Sequence, residues 1–197
     1  MIHRTAIVES DVEIGDGTSI WDSVHVRGPA RIGSNCIIGE KTYIAYGASI
    51  GDFVKINAFV YICTGVIVED GVMLGAGTTF TNDRFPRATD PDITRLRMST
   101  PDEHTLSTVV RRGATVGASA IIGPGLEIGE FAMVGMGSVV TRSIPPHLLV
   151  VGNPARPRAA VCKCGEVVSD VPVDTRKVDC SVCGRSYRIT GLEVVAL

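Results

Sequence analysis

Four cysteines near the C-terminal end of the chain stand in two close pairs, an arrangement that binds metal. The pairs are Cys162/Cys164 and Cys180/Cys183, with glycine after each pair and fifteen residues between them. Two such knuckles place four thiolates tetrahedrally around Zn²⁺, and four protein ligands leave no open position for catalysis. The spacing therefore predicts a structural Zn²⁺ site, with redox pairing or loose thiols as the alternatives.

A second group of chemically capable residues lies in the segment 81–108, which reads TNDRFPRATDPDITRLRMSTPDEHTLST. It carries Asn82, Asp83, Arg84 and Arg87 close together. The guanidinium fork of arginine matches a diphosphate or a carboxylate. Long loops of this kind are uncommon in compact domains and tend to be functional. We expect a binding loop; the alternative is a tolerated surface insertion with solvated cations.

Histidines are the usual general bases for a hydroxyl nucleophile, and the chain has four of them. His25 is expected to point outward, where it could reach a subunit interface or be only a surface residue. His104 lies within the segment 81–108 and is expected to be solvated.

The elements that must position these residues follow from a six-residue repeat. Every sixth residue from Ile2 to Phe80 is a large apolar residue, and the pattern resumes at Val110 and runs to Val140. A second set of smaller side chains follows four residues after each, from Ala6 to Thr78 and from Ala114 to Ile144. Glycine often follows the large residue, where it is expected to turn a corner.

Two inward positions in every six residues fit a short strand whose alternate side chains face one way. A helix would need a period near 3.6. The sequence therefore predicts an all-β fold, a left-handed parallel β-helix of stacked repeats with a loop insertion at 81–108. The alternative, a β-sandwich, has strands of more variable spacing.

The repeats end near Val151, where the proline-containing segment VVGNPARPR begins a linker. We expect a β-helix domain over 1–158 and a small zinc-ribbon-like tail over 159–197. The tail is too short to build a core alone, so a metal would stabilise it. We also expect the tail to share no core with the repeats.

Composition limits the partners. The net charge is −2 and no apolar stretch approaches membrane-spanning length. These features favour neither nucleic acid nor a membrane as partner. The absence of a signal-like N-terminal segment favours a cytoplasmic location, where the cysteines are expected as thiols or metal ligands.

The six-residue pattern, the interrupting loop and the VGNPAR ending together resemble the hexapeptide-repeat acyltransferases over residues 1 to about 158. That resemblance implies a homotrimer, with acetyl-CoA in the groove between adjacent subunits. It places Ala118, Gly135 and Gly137 beside the cofactor, and Arg156 and Arg158 where they would meet the phosphates of coenzyme A.

A narrower resemblance rests on the segments IWDSVHVR (20–27), VKIN (54–57), YICTGVIVED (61–70) and FTNDRFPR (80–87). They are similar to those of N-acetyltransferases that act on UDP- or dTDP-linked 3-amino sugars for surface polysaccharides such as lipopolysaccharide. The implied activity is transfer of an acetyl group from acetyl-CoA to the sugar amine.

Enzymes of that group can dispense with a catalytic histidine, because an amine is a better nucleophile than a hydroxyl. The resemblance implies that Asn82 positions the amine by accepting its hydrogen bond, with His25 as the alternative base. Lys55, Glu69, Asp83, Arg84 and Arg87 are the expected contacts to the nucleotide sugar.

Three other functions are compatible with a β-helix. An O-acetyltransferase would need His25 or His104 to face the thioester. A γ-type carbonic anhydrase needs three zinc-binding histidines at subunit interfaces, and the spacing of His3, His25 and His147 does not resemble that motif. A non-catalytic scaffold would not explain the Asn82 segment or the VGNPAR ending.

Overall fold

The structure is a computed structural model that describes residues 1–197, and it contains strands and turns but no helix. No helix of the length and apolarity needed to cross a bilayer is therefore present. The strands, in chain order, are β1 (Ile7–Val8), β2 (Val12–Ile14), β3 (Ser19–Ile20), β4 (His25–Val26), β5 (Ala30–Ile32), β6 (Ile37–Ile38), β7 (Tyr43–Ile44), β8 (Ser49–Ile50), β9 (Lys55–Ile56), β10 (Tyr61–Ile62), β11 (Val66–Val68), β12 (Met73–Leu74), β13 (Thr79–Phe80), β14 (Thr108–Val110), β15 (Thr115–Val116), β16 (Ile121–Ile122), β17 (Glu127–Ile128), β18 (Met133–Val134), β19 (Val139–Val140), β20 (Leu148–Val151), β21 (Arg156–Val161), β22 (Val167–Asp170), β23 (Val173–Asp179), β24 (Ser186–Gly191) and β25 (Glu193–Ala196).

The first nineteen strands wind into the predicted parallel β-helix. Ile7 pairs with His25 and His25 pairs with Tyr43, so one coil of the helix takes three of the six-residue repeats. The first face is the sheet β1-β4-β7-β10-β13-β16-β19, the second is β2-β5-β8-β11-β14-β17, and the third contains β3-β6-β9-β12-β15-β18. We name the corners by the face they follow: the first corner lies between the first and second faces, the second corner between the second and third, and the third corner between the third and first.

The large apolar set forms the core as the repeat predicts. From Ile20 through Phe80, and from Val110 through Val140, each member is at most 2% exposed. Their neighbours on the strands point outward, as Ile37 (43% exposed) does beside Ile38 (0%). Only the terminal members lose this shielding, and Ile2 is 51% exposed at the open end of the stack. Burying each large side chain contributes about 1.5–3 kcal/mol, so stability accumulates along the stack.

The glycines that follow the large residues are needed for a different reason from the one we expected. They do not adopt positive φ. Instead, the next coil passes so close that a Cβ added at Gly39 would lie 2.6 Å from the carbonyl carbon of Asn57. The left-handed conformation falls two residues later, at Gly77 and Gly137 and also at non-glycine residues such as Phe59. Close approach of the coils, not corner geometry, therefore requires glycine there.

The loop insertion occupies 81–107, because β14 begins at Thr108, which is fully buried and not the last loop residue we predicted. Val66 pairs directly with Thr108, so the insertion more than doubles the length of the coil that contains it. The first and last residues of the insertion run side by side. Leu106 N donates to Asn82 O (2.8 Å), and Asp83 forms an antiparallel β-bridge with Thr105. Between these points it forms a small hairpin, closed by Arg97 N donating to Ala88 O (3.0 Å).

The tail continues the β-helix instead of standing apart from it. β21 pairs antiparallel with β20 and β22, so the expected boundary at 158/159 falls inside this strand. β23, β24 and β25 form a separate antiparallel sheet. The prediction that the tail and the repeats share no core is wrong, because one apolar cluster runs from Ile20 through Ala160 to Val194. His147 joins the two parts, with its ring 5.5 Å from that of Phe131 and 5.2 Å from that of Tyr187.

Candidate functional site

Asn82 lies at the first corner, at the point where the loop departs from the coil. Its Nδ2 donates a hydrogen bond to the backbone carbonyl of Thr64 one coil below (3.1 Å). Because a carbonyl oxygen only accepts, this bond fixes which end of the amide faces the coil. Oδ1 accepts no hydrogen bond within the chain, and it is free to accept one from a ligand.

A small polar cleft of about 130 Å³ opens beside Asn82, between the first corner and the returning arm of the loop. The corner contributes Tyr46, Thr64 and Asn82, which occupy equivalent positions in three successive coils. The loop contributes Asp83, Arg87, Arg97, Met98, Ser99, Thr100, Pro101, Asp102 and Thr105. The cleft therefore offers one free amide oxygen, two carboxylates and two guanidinium groups within one small volume.

Of the predicted loop residues, the structure brings Asn82, Asp83 and Arg87 together in this cleft. Asp83 Oδ1 accepts a hydrogen bond from Phe85 N (2.7 Å), which shapes the turn that starts the loop. Arg87 donates to Pro86 O (2.9 Å) and has no carboxylate partner. Arg84 is exposed and does not line the cleft.

His25 lies on the first face, three strands away from β13, after which Asn82 begins the loop. At about 4.8 Å per strand, these two predicted catalytic residues are about 14 Å apart within one chain. His25 Nε2 lies 3.0 Å from Glu9 Oε1, and its ring meets that of Tyr43 edge-on at 5.5 Å. The hydrogen bond from His25 is the main cause that lowers the pKa of Glu9. The structure therefore gives His25 a carboxylate partner at the first corner, just after β1, and separates it from Asn82.

His104 lies in the loop, and its ring packs edge-on against Phe85 at 5.8 Å. Its Nε2 lies 3.9 Å from Glu103 Oε1, and its side chain is 39% exposed. It does not line the cleft that contains Asn82. The partly solvated position matches the expectation for this residue.

Lys55 and Glu69 are not near Asn82 in the same chain. Lys55 points outward from the third face, in β9. Glu69 lies at the second corner, where it accepts hydrogen bonds from Arg111 Nη1 (2.8 Å) and Arg112 N (2.9 Å). Arg111 also binds Glu127 (2.8 Å), so Glu69 belongs to an ion-pair network that links successive coils. Glu69 is therefore ion-paired within the coils, whereas Lys55 has no ion-pair partner.

The residues expected to bind acetyl-CoA gather at and above the third corner. Ala118, Gly135 and Gly137 occupy two successive coils there, and Gly137 N donates to Ala118 O (2.8 Å). Arg156 and Arg158 are exposed on β21, which extends the third face, and Arg158 pairs with Asp170 at 3.3 Å. The first face therefore separates the expected cofactor residues from Asn82.

Tyr46, Thr64, Arg97 and Asp102 line the cleft but were not predicted from the sequence. Tyr46 precedes Asn82 by two whole coils and Thr64 precedes it by one, and that offset was the signal that could have identified them. Arg97 and Asp102 occur in a loop without periodicity, so no pattern in the sequence shows which of its charges face the corner. The hydrogen bond from the His104 backbone N–H (2.8 Å) is the main cause that lowers the pKa of Asp102.

The four tail cysteines converge as their spacing predicts. Their sulfur atoms all lie within 4.8 Å of one another, with Cys162 Sγ 3.3 Å from Cys183 Sγ and Cys164 Sγ 3.6 Å from Cys180 Sγ. Four thiolates at about 2.3 Å from one Zn²⁺ would have sulfur atoms about 3.8 Å apart, so the cluster fits that ion. The backbone N–H and guanidinium of Arg185 lower the pKa of Cys183 to about 6, which favours the thiolate that binds metal.

The remaining two cysteines belong to the coils. Cys36 is buried and its Sγ donates to Gly51 O (3.1 Å). Burial raises the pKa of Cys63 to about 11, so its thiol is protonated near neutral pH. Both are buried thiols that pack within the coils.

Family profiles match the repeats. The profile of the bacterial transferase hexapeptide (six repeats) matches residues 11–45 and 47–82, and that of the hexapeptide repeat of succinyl-transferase matches 29–63 and 112–142. A dTDP-3-amino-3,6-dideoxy-alpha-D-galactopyranose 3-N-acetyltransferase from Aneurinibacillus thermoaerophilus is 46% identical over 187 residues, which cover 95% of this chain and 90% of the relative.

Solved structures share the fold. A mutant of AntD, an N-acyltransferase from Bacillus cereus in complex with dTDP and coenzyme A, aligns over 82% of this chain and 80% of its own with a TM-score of 0.55 and 22% identity. WeeI from Acinetobacter baumannii AYE aligns over 78% of this chain and 55% of its own with a TM-score of 0.50 and 26% identity.

The coil geometry, the repeat profiles and a relative that matches nearly the whole chain lead to the same conclusion. This chain belongs to the family of hexapeptide-repeat acetyltransferases.

Proposed function

We propose that this protein transfers an acetyl group from acetyl-CoA to the 3-amino group of a nucleotide-linked sugar, with a dTDP-linked 3-amino-6-deoxyhexose as the first choice and a UDP-linked 3-amino sugar as the second. The sugar is suggested by the relative that is 46% identical, whose name specifies a dTDP-linked 3-amino-3,6-dideoxygalactose. Such acetamido sugars would serve surface polysaccharides, including lipopolysaccharide.

The observation that carries this proposal is the orientation of the Asn82 amide. Its nitrogen is held by Thr64 O, so its oxygen is left as an acceptor beside the cleft. An acceptor of this kind binds an N–H of the substrate amine and directs the nitrogen lone pair towards the thioester. An amide is far too weakly basic to take a proton from a hydroxyl group, so Asn82 suits an amine better than an alcohol.

In the proposed reaction, the unprotonated amine of the sugar attacks the carbonyl carbon of the acetyl thioester. A C–N bond forms and the C–S bond breaks. The amine nitrogen loses one proton, and the departing thiolate of coenzyme A gains one. Asn82 contributes position, holding the attacking nitrogen in line with the carbonyl.

Thiol release from acetyl-CoA, measured with a panel of dTDP- and UDP-linked 3-amino sugars, tests the proposal. Acetyl transfer to at least one dTDP-linked 3-amino sugar is expected, with the acetyl group on nitrogen. If no sugar of the panel causes thiol release, the proposed substrate class is wrong.

One observation favours a second candidate, an O-acetyltransferase. The pair His25–Glu9, at 3.0 Å, has the geometry of a histidine that a carboxylate orients for general-base catalysis. In this case His25 would activate a sugar hydroxyl across a subunit interface, and Asn82 would be dispensable.

We also propose that the active molecule is a homotrimer. Asn82 at the first corner and the expected cofactor residues at the third corner lie on opposite edges of the first face. A neighbouring subunit packed against that face would bring one subunit's third corner close to the other's first corner. Tyr61 and Ile121 (both 44% exposed) on this face supply apolar surface for such a contact. Light scattering should give the mass of three chains; a stable monomer would contradict the shared groove.

We further propose that Cys162, Cys164, Cys180 and Cys183 hold one structural Zn²⁺. The sulfur separations and the hydrogen bond from Tyr187 OH to Cys162 Sγ (3.1 Å) support this ion. A hydrogen bond of this type orients a ligand and moderates its charge.

Finally, we propose a cytoplasmic location, where acetyl-CoA and nucleotide sugars are available and thiols remain reduced.

A further inference from the structure

We propose that Arg97 binds the diphosphate of the nucleotide sugar and so sets the direction in which that substrate enters. This inference rests on the proposed function, since it assigns a part of the same substrate. Arg97 lies in the returning arm of the loop hairpin, in the part of the sequence where no periodicity marks functional positions.

The volume of the cleft limits which part of the substrate it can hold. The cleft beside Asn82 encloses about 130 Å³, which is enough for part of a sugar ring but much less than the roughly 300–1,000 Å³ that ligand sites usually provide. The nucleoside must therefore lie outside this cleft. Two larger depressions adjoin it: one of about 600 Å³ towards Arg27 and Tyr46, and one of about 970 Å³ along the hairpin towards Ile93 and Arg95.

Arg97 is at the junction of these spaces. It lines the Asn82 cleft and both larger depressions, together with Met98 and Thr100. Of these three residues only Arg97 is charged. In a nucleotide sugar the diphosphate lies between the sugar and the nucleoside. If the sugar occupies the Asn82 cleft, the diphosphate therefore passes Arg97, whichever depression receives the nucleoside.

The guanidinium of Arg97 is available for such a ligand. Its closest carboxylate contact, to Asp102 Oδ2, is 3.8 Å long, and the side chain is 39% exposed. A contact of that length between exposed groups contributes little and is readily exchanged for a better one. A diphosphate would offer a bidentate partner, which matches the fork of arginine more closely than it matches lysine. Arg87 in the same cleft adds a second positive charge, which offsets the carboxylate of Asp83.

Coenzyme A also contains a diphosphate, so the source of the ligand must be decided. Arg97 shares its cleft with Asn82 at the first corner, whereas the residues expected to hold acetyl-CoA lie at the third corner of the chain. Within one chain Arg97 therefore shares a cleft with Asn82 and not with the expected cofactor residues, which favours the nucleotide sugar. In the assembled protein, the two sources are distinguished by which Michaelis constant changes.

The test is steady-state kinetics of Arg97→Ala and Arg97→Lys with both substrates varied. Loss of a hydrogen-bonded charge pair should raise KM for the nucleotide sugar about 10- to 100-fold in Arg97→Ala. KM for acetyl-CoA should stay within about twofold, and Arg97→Lys should recover only part of the loss. Arg188→Ala is the control: Arg188 is an exposed arginine on β24 in the tail, and it lines none of these three spaces. It should leave both constants unchanged.

Binding of dTDP alone, measured by calorimetry, separates this inference from the proposed activity. Arg97→Ala should weaken dTDP binding in the same proportion, whether or not acetyl transfer is observed. If the wild type binds dTDP but acetylates no amino sugar, the proposed function fails and the Arg97 site remains. If Arg97→Ala raises KM for acetyl-CoA instead, or binds dTDP as tightly as the wild type, the Arg97 assignment is wrong.

Discussion

The side-chain amide of Asn82 donates a 3.1 Å hydrogen bond to the backbone carbonyl of Thr64, its counterpart one coil below. The stacked coils thus hold the amide in one orientation before any ligand arrives. Although Asn82 leads into a long loop, this bond ties its side chain to the coil below. Such preorganisation is what a positioning group needs, because small displacements at a reacting centre cost large factors in rate.

Replacing Asn82 with alanine is expected to lower turnover about 10- to 1,000-fold, the scale expected for losing a hydrogen bond that positions a nucleophile. Acetyl-CoA binding should persist, because the expected cofactor residues lie across the first face. Steady-state kinetics with the nucleotide sugar check this result. His25→Ala and His104→Ala serve as comparisons and should cost less. If His25→Ala is inactive while Asn82→Ala keeps nearly normal activity, the O-acetyltransferase is favoured.

Metal analysis should find about one Zn²⁺ per chain, because four thiolates complete a tetrahedral site. Cys180→Ser should release it and lower the melting temperature, since Cys180 and Tyr187 belong to the same apolar cluster as the coils. Cys36→Ser is the matched control, because Cys36 is a buried thiol far from the tail. Its zinc content should stay near one. Full retention of zinc by the Cys180 variant would mean that the ligand set is wrong.

Stability is expected to fall with acid through His147. Burial lowers the pKa of His147 below its ordinary value of 6.5. The hydrogen bond to Val161 O and the Glu130 charge oppose this shift, whereas the Lys163 charge adds to it. In this pH range His147 is protonated in the unfolded chain but not in the folded chain. The free energy of unfolding therefore decreases as pH falls from about 7 to about 5. Melting temperatures across that range should show the decrease.

His147→Gln should weaken this pH dependence, although it also removes ring contacts with Phe131 and Tyr187. His104→Gln, which alters a partly exposed loop histidine, should retain the pH dependence of the wild type. An unchanged pH profile in His147→Gln would exclude His147 as the cause.

Adjacent residues of one strand should differ sharply in their effect on stability. Ile38 is fully buried in the stack, whereas Ile37 beside it is 43% exposed. Ile38→Ala should lower the free energy of unfolding by about 2–5 kcal/mol, and Ile37→Ala should cost much less, because it leaves no cavity. Denaturant titration of both variants measures the difference. Equal losses would mean that Ile37 is covered by another subunit.

The β-helix was predictable because each coil repeats one physical requirement, a buried side chain at every sixth position. Ile38 and Phe80 illustrate this, since the same rule identifies both. The convergence of the four tail cysteines was predictable because each of the two knuckles is set by local spacing. Arg97 and Asp102 were not, because their place depends on how one aperiodic loop folds back onto the first corner. The ion pair of Glu69 was not predicted for a similar reason: its partner Arg111 follows the loop insertion in the sequence, and only the coil register brings them together.

The shared core of the tail and the coils could not be read from the sequence either. The linker VVGNPARPR has the composition of a flexible connection, yet Arg156–Val161 forms a strand on the third face. Ala159 and Ala160 are buried there because pairing with β20 covers the open end of the stack. Capping of that end is a property of the whole assembly of strands, which local composition does not report.

The most direct test of base-free acetyl transfer to an amine compares two acceptors that differ only at the reacting atom. Wild type, Asn82→Ala and His25→Ala are each given acetyl-CoA with a dTDP-linked 3-amino sugar or with its 3-hydroxy analogue, and thiol release is followed. We expect rapid release by the wild type with the amine only, a strong loss in Asn82→Ala and a smaller one in His25→Ala. Acetylation of the hydroxyl analogue at a comparable rate, abolished in His25→Ala and retained in Asn82→Ala, would contradict this mechanism.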